Sequence, residues 1–273
     1  MTTGPLESVL RRDRTIVGGA LAGMVLLSWT YLLLGAGMGM PAFHMSGLPT
    51  AMRISGPMAV LLPMPWTVGY SLLILVMWWL MMLAMMLPSA APMILLYAAL
   101  TRKRHEAGAP YLATGLFGSG YLAVWGGFSV IAVTAQWLLD GIALLSPMMV
   151  TSSMALGALL LIGAGIWQFT PLKHACLHHC RSPAQDLTYH WRKGPSGAFQ
   201  MGLRHGAHCL GCCWMMMLLL FYGGIMNIYW IAGLTILVLV ERIAPLRRWS
   251  TGVIGVALII WGGAVLARLI LIA

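Results

Sequence analysis

Residues 67–88 read TVGYSLLILVMWWLMMLAMMLP and contain no charged side chain. A helix needs roughly 20 apolar residues to cross about 30 Å of hydrocarbon, and this stretch supplies them without interruption. The apolarity is continuous, whereas the strands of a membrane β-barrel alternate apolar and polar positions. With no water in the bilayer core, backbone hydrogen bonds must close within the segment, as they do in a helix. The run is therefore read as a membrane-spanning helix, and the rest of the chain is read from it.

Six further runs have the same character: 15–38, 112–138, 148–169, 208–226, 228–241 and 251–272. The sequence thus predicts an all-α, polytopic transmembrane helix bundle of about seven spans. The number is six if the fifth and sixth runs, separated only by Asn227, form a re-entrant pair. Pro88 and Pro92 predict a break of the second helix at its inner end. The first run is too long for the apolar region of a signal peptide and reads as an uncleaved span. Composition agrees: 60% of residues are hydrophobic, 8% are charged and the mean hydropathy is +0.87, against about 25% charged residues in a soluble domain. No internal repeat is visible, and residues 1–273 read as one integral membrane domain.

Lysine and arginine set the orientation. With the N-terminus cytoplasmic, the inner segments are 1–14, 98–111, 170–207 and 242–250, and they hold 14 of the 16 basic residues. Only Arg53 and Arg268 fall elsewhere. The net charge of +10 is therefore a topology signal, reinforced by anionic lipid at the inner surface. The chain's partner is the lipid bilayer. No nucleic acid is expected, because no basic stripe with interleaved aromatics is present.

Several activities are set aside. The sequence has no Walker A loop, no HExxH and no recognisable Ser/His/Asp arrangement. No row of intramembrane carboxylates suggests a proton pump. An enzyme is not the favoured reading. Glu241 and Arg242 read as an interfacial ion pair.

The chemistry is concentrated in 174–213, which holds all five cysteines and six of the eight histidines. One end reads KHACLHHCRSP and the other RHGAHCLGCCW. Cys176 and Cys180 are four apart and share a helical face. Cys209 and Cys212 form a CxxC pair, with Cys213 adjacent. His174, His179 and His208 lie within a few residues of these thiols, as do His178 and His205. Thiolate and imidazole are ligands for zinc or copper(I), so these side chains form a candidate metal site built around the polar segment 170–207. At the cytoplasmic face the thiols stay reduced. The plain alternative is that they are small packing residues at helix ends, above all Cys213, which would then face Trp214 and lipid.

Methionine is the second anomaly, at 22 residues. Met77, Met81 and Met85 repeat every four residues, and Met82 and Met86 form a neighbouring stripe. Met215, Met216 and Met217 follow the cysteines directly. Thioether suits copper(I), which makes Met81, Met85, Met86 and Met216 a candidate soft-metal relay. The alternative is that methionine is serving as an adaptable apolar filler. A further group, Met38, Met40, His44 and Met45, falls in the loop at 39–66 and at its edge.

Three stretches carry a resemblance: WWLMMLAMMLPSAAPM at 78–93, WQFTPLKHACLHHCRSP at 167–183 and HCLGCCWMMMLLLFYGGIMNIYW at 208–230, followed by Glu241. In these the chain resembles a family of bacterial integral membrane proteins described as metal-binding, without an assigned reaction. The resemblance implies a bacterial inner-membrane location and a metal site on Cys176, Cys180, Cys209, Cys212 and Cys213. The function expected is the handling of copper(I) or zinc, as a transporter or a membrane chaperone, with a metal donor or acceptor protein as partner. The alternatives are a structural zinc site in a membrane subunit and a thiol-redox protein or metalloenzyme using the CxxC pair. Oligomeric state is not legible.

Overall fold

The computed structural model describes residues 5–38, 41–47, 65–103, 110–146, 149–182, 187–243 and 249–272. Among these residues there is no strand, only an isolated bridge between Leu145 and Thr151. The helices are α1 (Pro5–Leu33), α2 (Ala42–Gly47), α3 (Val68–Lys103), α4 (Pro110–Gly141), α5 (Met154–Trp167), α6 (Pro171–Arg181), α7 (Gly194–Leu218), α8 (Leu220–Gly223), α9 (Ile228–Ile243) and α10 (Trp249–Ile272).

Five of the described helices are long and apolar enough to cross a membrane, or six if a bent pair is one span. The bent pair is α5 and α6, which meet at 64°. Each of the seven apolar runs contains a helix, but two of them make short ones. Helix α5 has 14 residues, because the chain before Met154 is a turn that ends on Ser153, whose side chain accepts from Leu156 N. Helix α9 has 16 residues, and Asn227 is its N-terminal cap, accepting from the N–H groups of Tyr229 and Trp230 at 3.2 and 3.3 Å. A side-chain oxygen there satisfies amides that have no helical partner.

Two expectations about helix ends are corrected. Pro88 and Pro92 do not break α3, which continues to Lys103. Proline at 88 removes the N–H that would pair with the carbonyl of Ala84. The indole Nε1 of Trp29, on α1, donates to that carbonyl at 3.2 Å. A freed carbonyl with a new donor carries little penalty, and the helix runs on. The segment 170–207, expected as a loop, is largely helical: α6 lies in it and α7 starts at Gly194. Thr170 caps α6 by accepting from Lys173 N, with Pro171 in the first turn, a position that suits proline.

Helices α4 and α7 lie spine to spine. A Cβ at Gly202 would overlap the carbonyl of Phe117, and one at Gly120 the carbonyl of Phe199. Small residues let helix backbones approach this closely. Phe117, Gly120 and Val124 meet Gly202, Leu203 and Gly206 in turn, so the two helices run in the same direction. Helix α3 joins through Trp78 Nε1, which donates to Gln136 Oε1 at 2.8 Å. Helix α10 packs on α5 at Gly165, Gly255 and Gly262. The buried core is rich in methionine, with Met77, Met81, Met82, Met85, Met86, Met216 and Met217 all at 1% exposure or less. Outward faces carry Leu26, Leu27, Val130, Ile131, Ile260 and Ile270 exposed.

Candidate metal centre

Helix α7 brings Cys209, Cys212 and Cys213 onto its inner face, at 0%, 2% and 1% exposure. The spacing requires this: positions three and four apart share a helical face. The thiols of Cys212 and Cys213 both donate to the carbonyl of Cys209, each at 3.0 Å. Cys213 does not face lipid. Its Sγ lies 3.8 Å from Met86 Sδ on α3.

Helix α6 supplies the other two thiols. Cys180 is half-buried and lies beside Cys212. Cys176 packs over Gly211, where a Cβ would stand 2.7 Å from its Sγ. All five cysteines are free thiols. The phenol of Tyr121, from α4, is 3.1 Å from Cys209 Sγ. Tyr121 also donates to the carbonyl of Met86 at 3.2 Å, which ties α3, α4 and α7 together at the thiols.

A cation sits among these sulfurs. Arg242 Nη2 is 2.8 Å from Cys209 Sγ, 3.2 Å from Cys212 Sγ and 3.9 Å from Cys213 Sγ. It also donates to the Cys209 carbonyl at 3.3 Å. The other terminal nitrogen, Nη1, donates to Ser89 Oγ at 2.9 Å. Arg242 is therefore not the partner of its neighbour Glu241, as an interfacial pair would be. Glu241 pairs with Lys173, whose Nζ lies 2.8 and 3.0 Å from the two carboxylate oxygens. Lys173 is fully buried and also donates to Gln168 Oε1. Gln168 Nε2 in turn donates to Met216 Sδ at 3.2 Å, and Arg181 donates to the Glu241 carbonyl. A buried charge needs a compensating partner. Here lysine has a carboxylate and arginine has thiols.

The histidines are arranged differently from the expectation. His174 is exposed on α6. His179 and His208 stack face to face, ring centroids 4.2 Å apart and planes at 14°. His205, one of the histidines near the thiols in sequence, is buried between Phe117 and Tyr121 at 6.1 and 5.6 Å. Among the described residues, no three His, Cys, Asp or Glu side chains are arranged to hold a metal ion as they stand. Of the candidate relay, Met86 lies against a thiol, Met216 is turned to Gln168, and Met81 and Met85 pack in the core. Met38 is half-buried. Met40 and the side chains of His44 and Met45 lie outside the described residues.

Arg242, Lys173 and Tyr121 were not among the residues singled out from sequence as site residues. Arg242 and Lys173 carry one signal: they are cations in or beside apolar runs, where an ionisable group usually has a function and a partner. Tyr121 carries none.

Chemically, the cluster offers four thiols from two helices and one thioether, with a hydroxyl beside them. Soft sulfur donors of this kind suit copper(I). Comparison with known proteins gives one finding in the same direction. The sequence model of the PpoB2 family, described as a copper chaperone, matches residues 75–265. No curated protein matches, and no solved structure matches.

Proposed function

The chain belongs to the PpoB2 copper chaperone family, matched over most of its length, and we propose that it binds one copper(I) ion as cargo and passes it to an acceptor protein. The ligands are drawn from Cys209, Cys212, Cys213 and Cys180, with Met86 as the thioether beside them. The observation that carries this reading is the burial of Cys209, Cys212 and Cys213 of α7 against Met86, with the half-buried Cys180 of α6 beside Cys212. Cys176 lies one helical turn from Cys180 and is assigned an accessory role in delivery, as is the stacked pair His179 and His208. His174 is assigned no ligand role. The sulfur-rich donor set favours copper(I) over zinc.

The chaperone works in the bacterial inner membrane. Support comes from the apolar outward faces of α1, α4 and α10 and from the concentration of basic residues in alternate connecting segments. In this arrangement the N-terminus is cytoplasmic, there are seven passes, and α9 and the bent α5–α6 pair are included among them. The thiols then lie towards the cytoplasmic side, where copper(I) is kept reduced and is exchanged between thiol ligands.

The test is the metal content of the purified protein. Loaded anaerobically and washed, the protein should carry about one equivalent of copper by plasma mass spectrometry, and the variant Cys209→Ser/Cys212→Ser should carry none. Retention of copper by that variant, or zinc in place of copper in the wild type, would sink the proposal.

A further inference from the structure

A buried arginine without a carboxylate is unusual, and Arg242 is one. Its sequence neighbour Glu241 is engaged by Lys173 at 2.8 Å. Its own Nη2 is directed at three sulfurs, at 2.8, 3.2 and 3.9 Å. These sulfurs lie on successive positions of one helix face, so a single nitrogen in contact with all three occupies the point where a cation shared by them would bind. Ser89 Oγ holds the same guanidinium from the other side at 2.9 Å. Among the described residues, no three donors are arranged to hold a metal while the guanidinium is there.

We infer that Arg242 is an internal competitor for the cargo: its guanidinium fills the thiol cage of the metal-free chain, and copper(I) binds by displacing it. The inference rests on the copper reading of the site and adds to it an account of how tightly the ion is held. A site whose binding-competent form is a fraction of the population has its apparent affinity lowered by that fraction. The guanidinium sets the fraction, because its hydrogen bonds to sulfur must be given up when the metal enters. A chaperone must release its ion, and a cation that returns to the cage as the metal leaves favours release. Arg242 is thus the residue that sets affinity, without being a ligand.

The experiment is anaerobic partition of copper(I) between the full-length protein in detergent and the chromogenic chelator bicinchoninate. Wild type, Arg242→Gln, Arg242→Lys and Ser89→Ala are compared. Arg242→Gln should hold copper at chelator concentrations at least tenfold higher than wild type, with the stoichiometry unchanged. Arg242→Lys has fewer donors to give up and should show a smaller rise. Ser89→Ala removes the anchor, leaves the charge and the core volume in place, and should shift the same way by a few-fold. If Arg242→Gln does not elute as a folded protein, the sign of the Ser89→Ala shift decides the question. Equal or weaker retention by the variants, with copper still bound by wild type, overturns the competitor role and leaves the chaperone reading intact. Copper bound by Arg242→Gln and not by wild type supports the competitor and overturns the chaperone reading of the resting chain. No uptake by any of them overturns both.

Discussion

Replacing Lys173 with methionine leaves the Glu241 carboxylate buried without its cation. The side chains of the pair are 0% and 3% exposed, and Nζ reaches both carboxylate oxygens, at 2.8 and 3.0 Å. Water therefore cannot replace the missing partner. Removing one member of a buried pair costs about 3–5 kcal/mol, whereas replacing both by apolar groups of similar volume is often close to neutral. Lys173→Met and Glu241→Met should each destabilise the protein by that amount, and Lys173→Met/Glu241→Met should recover most of the loss. The assay is unfolding by SDS in mixed micelles, followed by tryptophan fluorescence. At 1.4 kcal/mol per tenfold, the single variants should lower the folding equilibrium constant by about two to three and a half orders of magnitude. Unchanged stability in the single variants, or additive loss in the double, would refute this reading of the pair.

Other substitutions test the packing and the ligand set. Gly202→Ala places a methyl group against the carbonyl of Phe117. The α4 and α7 backbones must then separate, at a cost of about 1–3 kcal/mol or more, read by the same unfolding assay. Met86→Leu conserves volume and should change stability by less than about 1.5 kcal/mol. It should nevertheless weaken copper retention several-fold in the chelator assay, because it removes the thioether 3.8 Å from Cys213. Met81→Leu, in the core away from the thiols, should leave retention unchanged.

The helices were legible where apolarity is continuous. The runs at 15–38, 112–138 and 251–272 lie within α1, α4 and α10 with small differences at their ends. The start of α7 was not legible. Residues 194–207 read GPSGAFQMGLRHGA, a glycine-rich polar stretch. It is helical because Gly202 and Gly206 fit against α4, and that neighbour is more than 60 positions away. Pro88 was read as a breaker because a single sequence does not say that an indole from α1 meets the freed carbonyl. The same limit applies at the site. Local spacing was enough to put Cys209, Cys212 and Cys213 on one face and Cys176 and Cys180 on another. It could not pair Lys173 with Glu241, 68 positions apart, or separate Glu241 from Arg242. Adjacent residues on a helix point in directions about 100° apart, so neighbours in sequence commonly serve different partners.

The cage is built from parts made at different times. Cys213 is synthesised 29 positions before Arg242, and translation adds roughly 5–20 residues per second. For a few seconds, then, the thiols of α7 exist before the guanidinium that will sit among them. Tyr121 and Met86 have already been made, and the cation is the last piece to arrive. The contacts of Arg242 with Cys209, Cys212 and Cys213 can form only once α9 has been made, so the cage closes late in the order of synthesis.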